Sequence, residues 1–160
     1  MSTELINKYS VGEIQFPTKS GLLSMLVKKE LVLEIIQKIK EDDKLLYDQL
    51  IDITVIDNVL SKQNYSNQRY TIIYSFLSLS FNKRLLVYSN ISEDDQNIDS
   101  ITQIFESANW FEREIYDLFG VNFKNHPNLQ RIMNDYNFQG HPLRNCLLYT
   151  SPSPRDLSTS

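Results

Sequence analysis

The residue types that can do chemistry are concentrated in one stretch, ANWFEREIYDLFG at residues 108–120. It contains three acids, Glu112, Glu114 and Asp117, together with Arg113. Two carboxyl groups that converge on a pocket can serve as the acid and the base of a catalytic site. No nucleophile or substrate-binding pattern accompanies them, and Arg113 lies four residues before Asp117, a spacing that predicts a surface ion pair on a helix. The stretch is therefore interpreted as an amphipathic helix with a solvated acidic face.

The chain has two histidines, His126 and His141, and each precedes a proline. Together with Asp135 they could in principle bind a metal ion. A residue before proline is biased towards extended backbone, so both imidazoles are interpreted as structural groups at turns. Pro127 is suited to the first turn of a helix, which is predicted over Asn128–Met133.

Composition excludes several classes of function. The 160 residues carry 16 Lys and Arg against 20 Asp and Glu, with no basic cluster, so nucleic-acid binding is not expected. The single cysteine, Cys146, cannot form an internal disulfide, and no Cys or His spacing matches a zinc or iron–sulfur site. No glycine-rich phosphate loop or catalytic triad motif is present. The chain is therefore expected to bind no cofactor and no metal, and to have no active site of its own.

Hydrophobic periodicity predicts a helix followed by strands in the first two thirds of the chain. Apolar residues recur every four positions in Gly21–Lys40, which predicts a helix packed on a sheet. Alternation in Leu50–Ile56 and in Arg69–Phe81 predicts two strands, with a polar link at Ser61–Gln68. A turn at Asn82–Lys83 and a return strand at Arg84–Ser89 complete a predicted hairpin.

Later segments favour helices over strands. Ser92–Asp99 is predicted as an acidic, solvated loop, and Asp99 or Ser100 as the cap of a short helix. The apolar stripe of that helix consists of Ile101, Ile104, Phe105 and Ala108. Asn109–Phe119 is predicted as the next helix, with Gly120 as its C-terminal cap. Its apolar stripe consists of Phe111, Ile115, Leu118 and Phe119.

This order predicts an α+β fold: a two-layer domain with a mostly antiparallel or mixed sheet, helices on one face, and an extended C-terminal arm. Residues 1–20 are interpreted as a lead-in and 21–120 as the domain. Residues 121–144 are interpreted as an interface arm, because they show little periodicity and because aromatic and arginine side chains are in excess over Asn109–Arg144. Residues 145–160 are rich in Ser, Thr and Pro and are predicted to be disordered.

The region from residue 100 to 144 closely resembles one protein family. SITQIFESANWFEREIYDLFGVNF, followed by NHPNLQRIMNDYNFQGHPLR, resembles the hallmark region of the 30 kDa subunit family of proton-pumping NADH:quinone oxidoreductase, respiratory complex I. In bacteria the members of this family are the C subunits of the complex, and mitochondrial genomes that encode the protein call it NADH dehydrogenase subunit 9. The upstream part is similar to the family in its pattern of elements, so the resemblance covers most of residues 21–144.

The resemblance implies a cofactor-free subunit of the hydrophilic arm of the complex. Such a subunit would contact the quinone-site subunit and the subunit that holds the terminal iron–sulfur cluster. NADH, FMN, the iron–sulfur clusters and quinone would be bound by other subunits. The implied location is the matrix side of the mitochondrial inner membrane or the cytoplasmic face of a bacterial inner membrane, with attachment to the membrane through the complex.

The family motif also implies a set of interface residues. They are Glu112, Arg113, Glu114, Asp117, His126, Arg131, Asp135, Tyr136, His141 and Arg144. Asn137 stands where the family typically has glycine, and we expect it to adopt the left-handed backbone that glycine would take. After Arg144 the chain departs from the family, which continues with Lys-Asp-Phe-Pro-Leu, so residues 145–160 are interpreted as a non-native tail.

Two alternative functions remain open at this point. One is an accessory domain or subunit of a membrane-bound nickel–iron hydrogenase related to complex I. The other is a standalone acid–base or metal enzyme that uses Glu112, Asp117 and the histidines.

Overall fold

A computed structural model describes residues 22–58 and 68–144 of the chain. The predicted lead-in at residues 1–20, most of the polar link at 61–67 and the predicted tail at 145–160 lie outside the described residues.

The core is a four-stranded mixed sheet with the order β1-β4-β3-β2. Its strands are β1 (Leu23–Val27), β2 (Gln49–Asp57), β3 (Gln68–Ser78) and β4 (Lys83–Ser92). β2, β3 and β4 pair antiparallel, whereas β1 pairs parallel with β4. The predicted hairpin of β3 and β4 and the α+β fold class are confirmed.

The central strand β3 carries the apolar face that the sequence predicts. Tyr70, Ile72, Tyr74 and Phe76 alternate along it, and each is at most 1% exposed. Alternation places every second side chain on the same face of a strand, so these four cover one side of the sheet. Burying four large side chains contributes about 1.5–3 kcal/mol each and makes β3 the centre of the core.

The prediction of one helix over Gly21–Lys40 is wrong in its first half. Leu23–Val27 forms β1, a short 3₁₀ turn covers Lys29–Leu31, and α1 extends over Val32–Glu41. Met25 and Val27 are buried at a spacing of two, which is strand periodicity. A short apolar run does not distinguish a strand from a helix, and here the pairing with β4 determines the outcome.

β2 contains an irregularity that reverses part of the predicted face. The pairing with β3 shifts register between Leu50 and Asp52. Leu50 and Ile53 are buried, whereas Ile51 is 48% exposed. A bulge adds one residue and so moves the following side chains to the opposite face.

The segment before the second helix also differs from its prediction. Asn97–Asp99 forms β5, which pairs parallel with β6 (Asn122–Lys124) and buries Ile98, so Ser92–Asp99 is only partly a solvated loop. The predicted short helix after Ser100 is instead a succession of turns. The stripe residues Ile101, Phe105 and Ala108 are nevertheless buried.

The second helix, α2, extends over Ala108–Phe119. Gly120 caps it in the left-handed conformation at φ +80°, and its N–H bonds to the carbonyl of Tyr116. This cap is as predicted, because glycine adopts positive φ without a steric penalty. After β6 the arm is irregular: no helix forms over Asn128–Met133. Asn137 is not among the described residues with positive φ, so that expectation is also wrong.

Candidate functional site

Asp117, near the end of α2, is the point at which the arm is fixed to the helix. Its side chain is 0% exposed, and Oδ1 accepts a hydrogen bond of 2.6 Å from Nη1 of Arg131. Oδ2 accepts three backbone N–H groups in succession, from Ile132 at 3.1 Å, Met133 at 2.8 Å and Asn134 at 2.9 Å. The side-chain amide of Asn134 donates to Oδ1 at 3.0 Å. We call Asp117 with residues 131–134 the arm anchor.

The electrostatics of the arm anchor favour an ionised carboxylate. Burial by itself would raise the pKa of Asp117, but the hydrogen bonds from Asn134, Met133 and Arg131 outweigh burial and hold that pKa well below its usual range. Hydrogen bonds to an ionised acceptor are stronger than neutral ones. The arm is therefore held to α2 by a charged group and five donors.

The end of the arm folds back on the same end of the helix. Nδ1 of His141 donates to the backbone carbonyl of Asp117 at 2.9 Å. Nη2 of Arg131 donates to the carbonyl of Gly140 at 2.9 Å, and the N–H of Leu143 donates to the carbonyl of Leu118 at 3.0 Å. The bonds to Asp117 and Leu118 satisfy carbonyl groups that the end of a helix leaves unpaired.

Gly120 allows this close packing because it has no side chain. A Cβ atom built there would lie 2.7 Å from Cδ2 and 2.8 Å from Nε2 of His141. The imidazole of His141 thus occupies space that any other residue at position 120 would fill. The sequence does not indicate that this ring packs against the end of α2.

Glu112, earlier on α2, forms a second buried junction. Its side chain is 0% exposed. Oε2 accepts the Ser100 hydroxyl at 2.6 Å, and Oε1 accepts the N–H of Ile101 at 2.8 Å. Burial raises the pKa of Glu112 to about 7, and the hydrogen bonds from Ser100 and Ile101 offset only part of that effect.

His126 lies beside this junction in a defined tautomer. Its Nδ1 accepts the N–H of Asn128 at 3.0 Å, so the proton of the neutral ring is on Nε2. Nε2 donates to the carbonyl of Asn109 at 3.3 Å and lies 3.9 Å from Oε2 of Glu112. Burial lowers the pKa of His126, the bond to Asn109 opposes this effect, and the charge of Arg113 adds to it.

Of the remaining motif residues, two arginines contact other parts of the chain and three residues are exposed. Arg113 donates from Nε to the carbonyl of Gln130 at 3.0 Å, and Arg144 lies 3.7 Å from the carboxylate of Glu93 on the loop after β4. Glu114, Asp135 and Tyr136 are exposed, and Tyr136 has 77% of its surface accessible.

Two sequence-based expectations are therefore wrong. Asp117 pairs with Arg131, fourteen positions along the chain, and not with Arg113. The acidic face is not solvated as a whole, because Glu112 and Asp117 are buried and only Glu114 of the three acids is exposed. The described residues include no group of three or more His, Cys, Asp or Glu side chains that could hold a metal ion.

Several residues that are important to the site are not indicated by the sequence. Ser100 and Asn134 are polar residues in loops, and no spacing rule connects them with an acid on a helix. Apart from Tyr136, the exposed apolar side chains of α2 and the arm were also not predicted individually as interface residues. They are Trp110, Met133, Phe138 and Leu143, between 44% and 64% exposed. The excess of aromatic and arginine side chains over Asn109–Arg144 is the available signal for this group.

The fold and the site together define a class of domain: a small α+β unit in which one helix carries two buried acids, one of which fixes an irregular arm. The residues from 25 to 151 match the family described as "Respiratory-chain NADH dehydrogenase, 30 Kd subunit". The chain belongs to this family, whose members are subunits of respiratory complex I.

Similar proteins agree with this assignment. The NADH-quinone oxidoreductase C subunit of Paramagnetospirillum magneticum is 38% identical over 127 residues, which cover 79% of this chain and 60% of the relative. The NADH-quinone oxidoreductase C/D subunit of Proteus mirabilis is 37% identical over 144 residues, or 88% of this chain and 24% of the relative. The solved trypsin-resistant fragment of Nqo5 superposes with a TM-score of 0.65 at 28% identity, covering 80% of this chain and 96% of the fragment. The chain thus spans less than two thirds of the length of these two sequence relatives.

Neither α1 nor α2, the helices within residues 22–58 and 68–144, combines the length and apolar character needed to cross a bilayer.

Proposed function

We propose that this chain is a peripheral-arm subunit of proton-pumping NADH:quinone oxidoreductase, and that it supports assembly of the complex and electron transfer from NADH to quinone. In this proposal it performs no reaction itself. NADH, FMN, iron–sulfur clusters and quinone are bound by its partners.

The observation that carries the proposal is the distribution of exposed apolar side chains. Nine large apolar residues are exposed among the described residues, and five of them lie on α2 or the arm. Large apolar side chains that are fixed in an exposed position are typical of protein–protein contacts. We call Trp110, Met133, Tyr136, Phe138 and Leu143 the arm patch.

The arm anchor supports the same interpretation, because it orders the segment that carries most of the arm patch. Met133 donates its N–H to Asp117 while 64% of its residue surface remains exposed. A segment that is ordered before binding loses less conformational entropy when it binds.

We propose the quinone-site subunit and the subunit of the terminal iron–sulfur cluster as the partners of the arm patch. In Proteus mirabilis the relative is named as a C/D subunit, and the similar region covers 24% of it. A natural fusion of the C and D portions in that protein favours close contact between this chain and a D-type subunit. The proposed location is the inner membrane surface, on the matrix side in a mitochondrion or the cytoplasmic side in a bacterium, with attachment through these partners.

The proposed domain boundaries follow from this function. Residues 21–120 form the α+β unit, and residues 121–144 are the arm that contacts the partners. The hydrogenase-related alternative has less support, because both sequence relatives described above carry the NADH-quinone oxidoreductase name.

A matched pair of double variants tests the proposal in the organism that makes the chain, with its own copy replaced. Met133→Ser with Tyr136→Ser removes two apolar residues of the arm patch. Leu79→Ser with Phe81→Ser is the control, since these residues are 61% and 44% exposed but lie at the turn between β3 and β4. We expect the arm variant to lower the amount of assembled complex on native gels and the NADH:quinone activity of the membranes by roughly tenfold, corresponding to a loss of about 1.4 kcal/mol in binding. Wild-type assembly in the arm variant, or equal loss in both variants, would contradict the proposal.

A further inference from the structure

The carboxyl group of Glu112 is enclosed without a charged partner in hydrogen-bond contact. Its two donors, the Ser100 hydroxyl and the Ile101 N–H, are both uncharged. The basic side chain found within 4 Å of it in the described ranges is His126, at 3.9 Å. An ionised carboxylate in such a site is costly unless a positive charge or several strong donors compensate for it.

The hydrogen bonds of His126 keep its ring neutral. Nδ1 accepts the Asn128 N–H at 3.0 Å, so a proton added at Nδ1 would point at another hydrogen. A proton taken up by this junction therefore goes to Glu112 and not to His126.

Polar and charged groups of β3, β5 and α2 also lie around this junction. The Tyr74 hydroxyl on β3 is buried without a hydrogen-bond partner, and it interacts electrostatically with Glu112 and with Asp99 at the end of β5. Arg113, on α2 itself, acts on His126 and donates its Nε–H to the arm. Consistent with this geometry, burial raises the pKa of Glu112 to about 7.

Two hydroxyl groups form a hydrogen-bonded path from Glu112 towards the surface. Ser100 Oγ lies 2.6 Å from Oε2 of Glu112 and 2.8 Å from Oγ1 of Thr102, which is half-buried. When Glu112 is ionised, the Ser100 hydroxyl donates to it. When Glu112 is protonated, its O–H donates to Ser100 Oγ, and the Ser100 hydroxyl donates to Thr102. Both protonation states are therefore fully hydrogen-bonded.

We propose that Glu112 is a reversible proton-binding site of the folded chain, and that the hydroxyl groups of Ser100 and Thr102 carry the proton between it and the surface. In uptake, a hydronium ion at the surface gives a proton to Thr102 Oγ1 and becomes water, the original Thr102 proton moves to Ser100 Oγ, and the original Ser100 proton moves to Oε2 of Glu112. Each hydroxyl gains one proton and loses one, so Glu112 is the only protein group whose charge changes. Release follows the same path in reverse.

A titration of the full chain tests the site directly. The side-chain carboxyl carbons of glutamate are labelled with ¹³C and followed by NMR from about pH 4 to about pH 9, a range that spans both the ordinary and the raised pKa. The Glu112 signal is assigned through its absence in Glu112→Gln, or by through-bond correlation in the wild type if that variant does not fold. We expect a midpoint near 7 for Glu112. A midpoint at the ordinary glutamate value would overturn the proposal.

Two variants separate the site from the path. Ser100→Ala removes a donor to the ionised form, so we expect the midpoint to rise by about one unit. Thr102→Val removes the acceptor that the Ser100 hydroxyl uses when Glu112 is protonated, so we expect the midpoint to fall by a few tenths of a unit. Proton exchange should also become slower, measured by ¹³C relaxation dispersion of the carboxyl group. An unchanged midpoint in Ser100→Ala would overturn the role of Ser100, and an unchanged exchange rate in Thr102→Val would overturn the role of Thr102. Glu114→Gln is the control, because Glu114 is exposed on the same helix and should leave the Glu112 titration unaltered.

Discussion

Glu112 and Asp117 lie five residues apart on α2, and both side chains are fully buried, yet their pKa values move in opposite directions. Burial acts on both in the same sense. Asp117 is compensated by the Arg131 guanidinium and four N–H donors, whereas Glu112 has two neutral donors and a neutral imidazole. Burial therefore opposes ionisation of both acids, and the number and charge of the donors determine how far that effect is offset.

The two acids consequently have different structural effects. Asp117 is an ionised anchor that holds the arm in place over the whole neutral range. Glu112 joins the turn after β5 to α2 through a group that changes charge near neutral pH. Helix α2 thus carries one acid that stays ionised over the neutral range and one that titrates within it.

Removing the Asp117 carboxylate should have the largest effect on stability. Asp117→Ala leaves Arg131 without its ion pair and leaves three backbone N–H groups without an acceptor, and we expect a loss of about 4 kcal/mol. Urea unfolding of the variant beside Asp135→Asn, which alters an exposed acid on the same arm, measures the loss. The folded pKa of Asp117 is depressed, so its contribution is present above about pH 4 and disappears as the pH falls towards that depressed pKa. Equal stability of the two variants would show that Asp117 is not the anchor.

Replacing Glu112 with glutamine should change how stability depends on pH. The folded pKa of Glu112 is raised, so the folded chain keeps a proton that the unfolded chain releases, and stability falls as the pH rises from about 4.5 to about 7. Glutamine cannot ionise and matches the protonated form in shape. We expect Glu112→Gln to exceed the wild type by about 3 kcal/mol at pH 8 and to match it near pH 4. Thermal unfolding at both pH values checks this, and parallel pH curves for the two proteins would refute it.

Gly120→Ala tests the packing of the arm against the C-terminal end of α2 without altering the charge of Asp117. The new Cβ would meet the His141 ring and require an alanine at φ +80°, so we expect a loss of about 2 kcal/mol. Combining it with His141→Ala removes the steric clash but not the backbone strain. The double variant should therefore lose less than the two single losses added together, and strict additivity in denaturant unfolding would contradict the packing described.

Arg113→Ala should have the smallest effect on stability and should leave the pKa values of both buried acids unchanged. Arg113 bonds to the Gln130 carbonyl and lies over the Trp110 ring, so its loss should cost about 1 kcal/mol. Because its guanidinium hydrogen-bonds to neither acid, the titrations of Glu112 and Asp117 should remain within a few tenths of a unit of the wild type. A large shift in either carboxyl signal by NMR would mean that Arg113 compensates one of them.

The sheet was predictable where local pattern and pairing agree. Alternation along Tyr70–Phe76 is long enough to define a strand, and the residues at Asn82–Lys83 suit a turn, so β3 and β4 are as expected. β1 was not predictable, because its five residues merge with the helical pattern that follows, and it depends on pairing with a strand about sixty residues away. The three-residue strands β5 and β6 are likewise defined by each other and not by composition.

The candidate site could be predicted in position but not in geometry. Helix α2 and its Gly120 cap follow from apolar spacing and glycine chemistry. That Glu112 and Asp117 face inward depends on donors at Ser100 and at residues 131–134, and helical periodicity carries no information about donors in distant loops. The spacing of Arg113 and Asp117 on the helix predicts a surface ion pair, but the arm brings Arg131 to Asp117 instead.

The proposed function depends most directly on whether the arm anchor presents the arm patch to partner subunits. Asp117→Asn keeps every residue of that patch and alters only the group that orders it. We expect the amount of assembled NADH:quinone oxidoreductase in membranes, measured on native gels, to fall in Asp117→Asn as far as in Met133→Ser with Tyr136→Ser. It should stay at the wild-type level in Asp43→Asn, which alters an exposed acid in the turn after α1. Wild-type assembly in Asp117→Asn would contradict this role of the anchor.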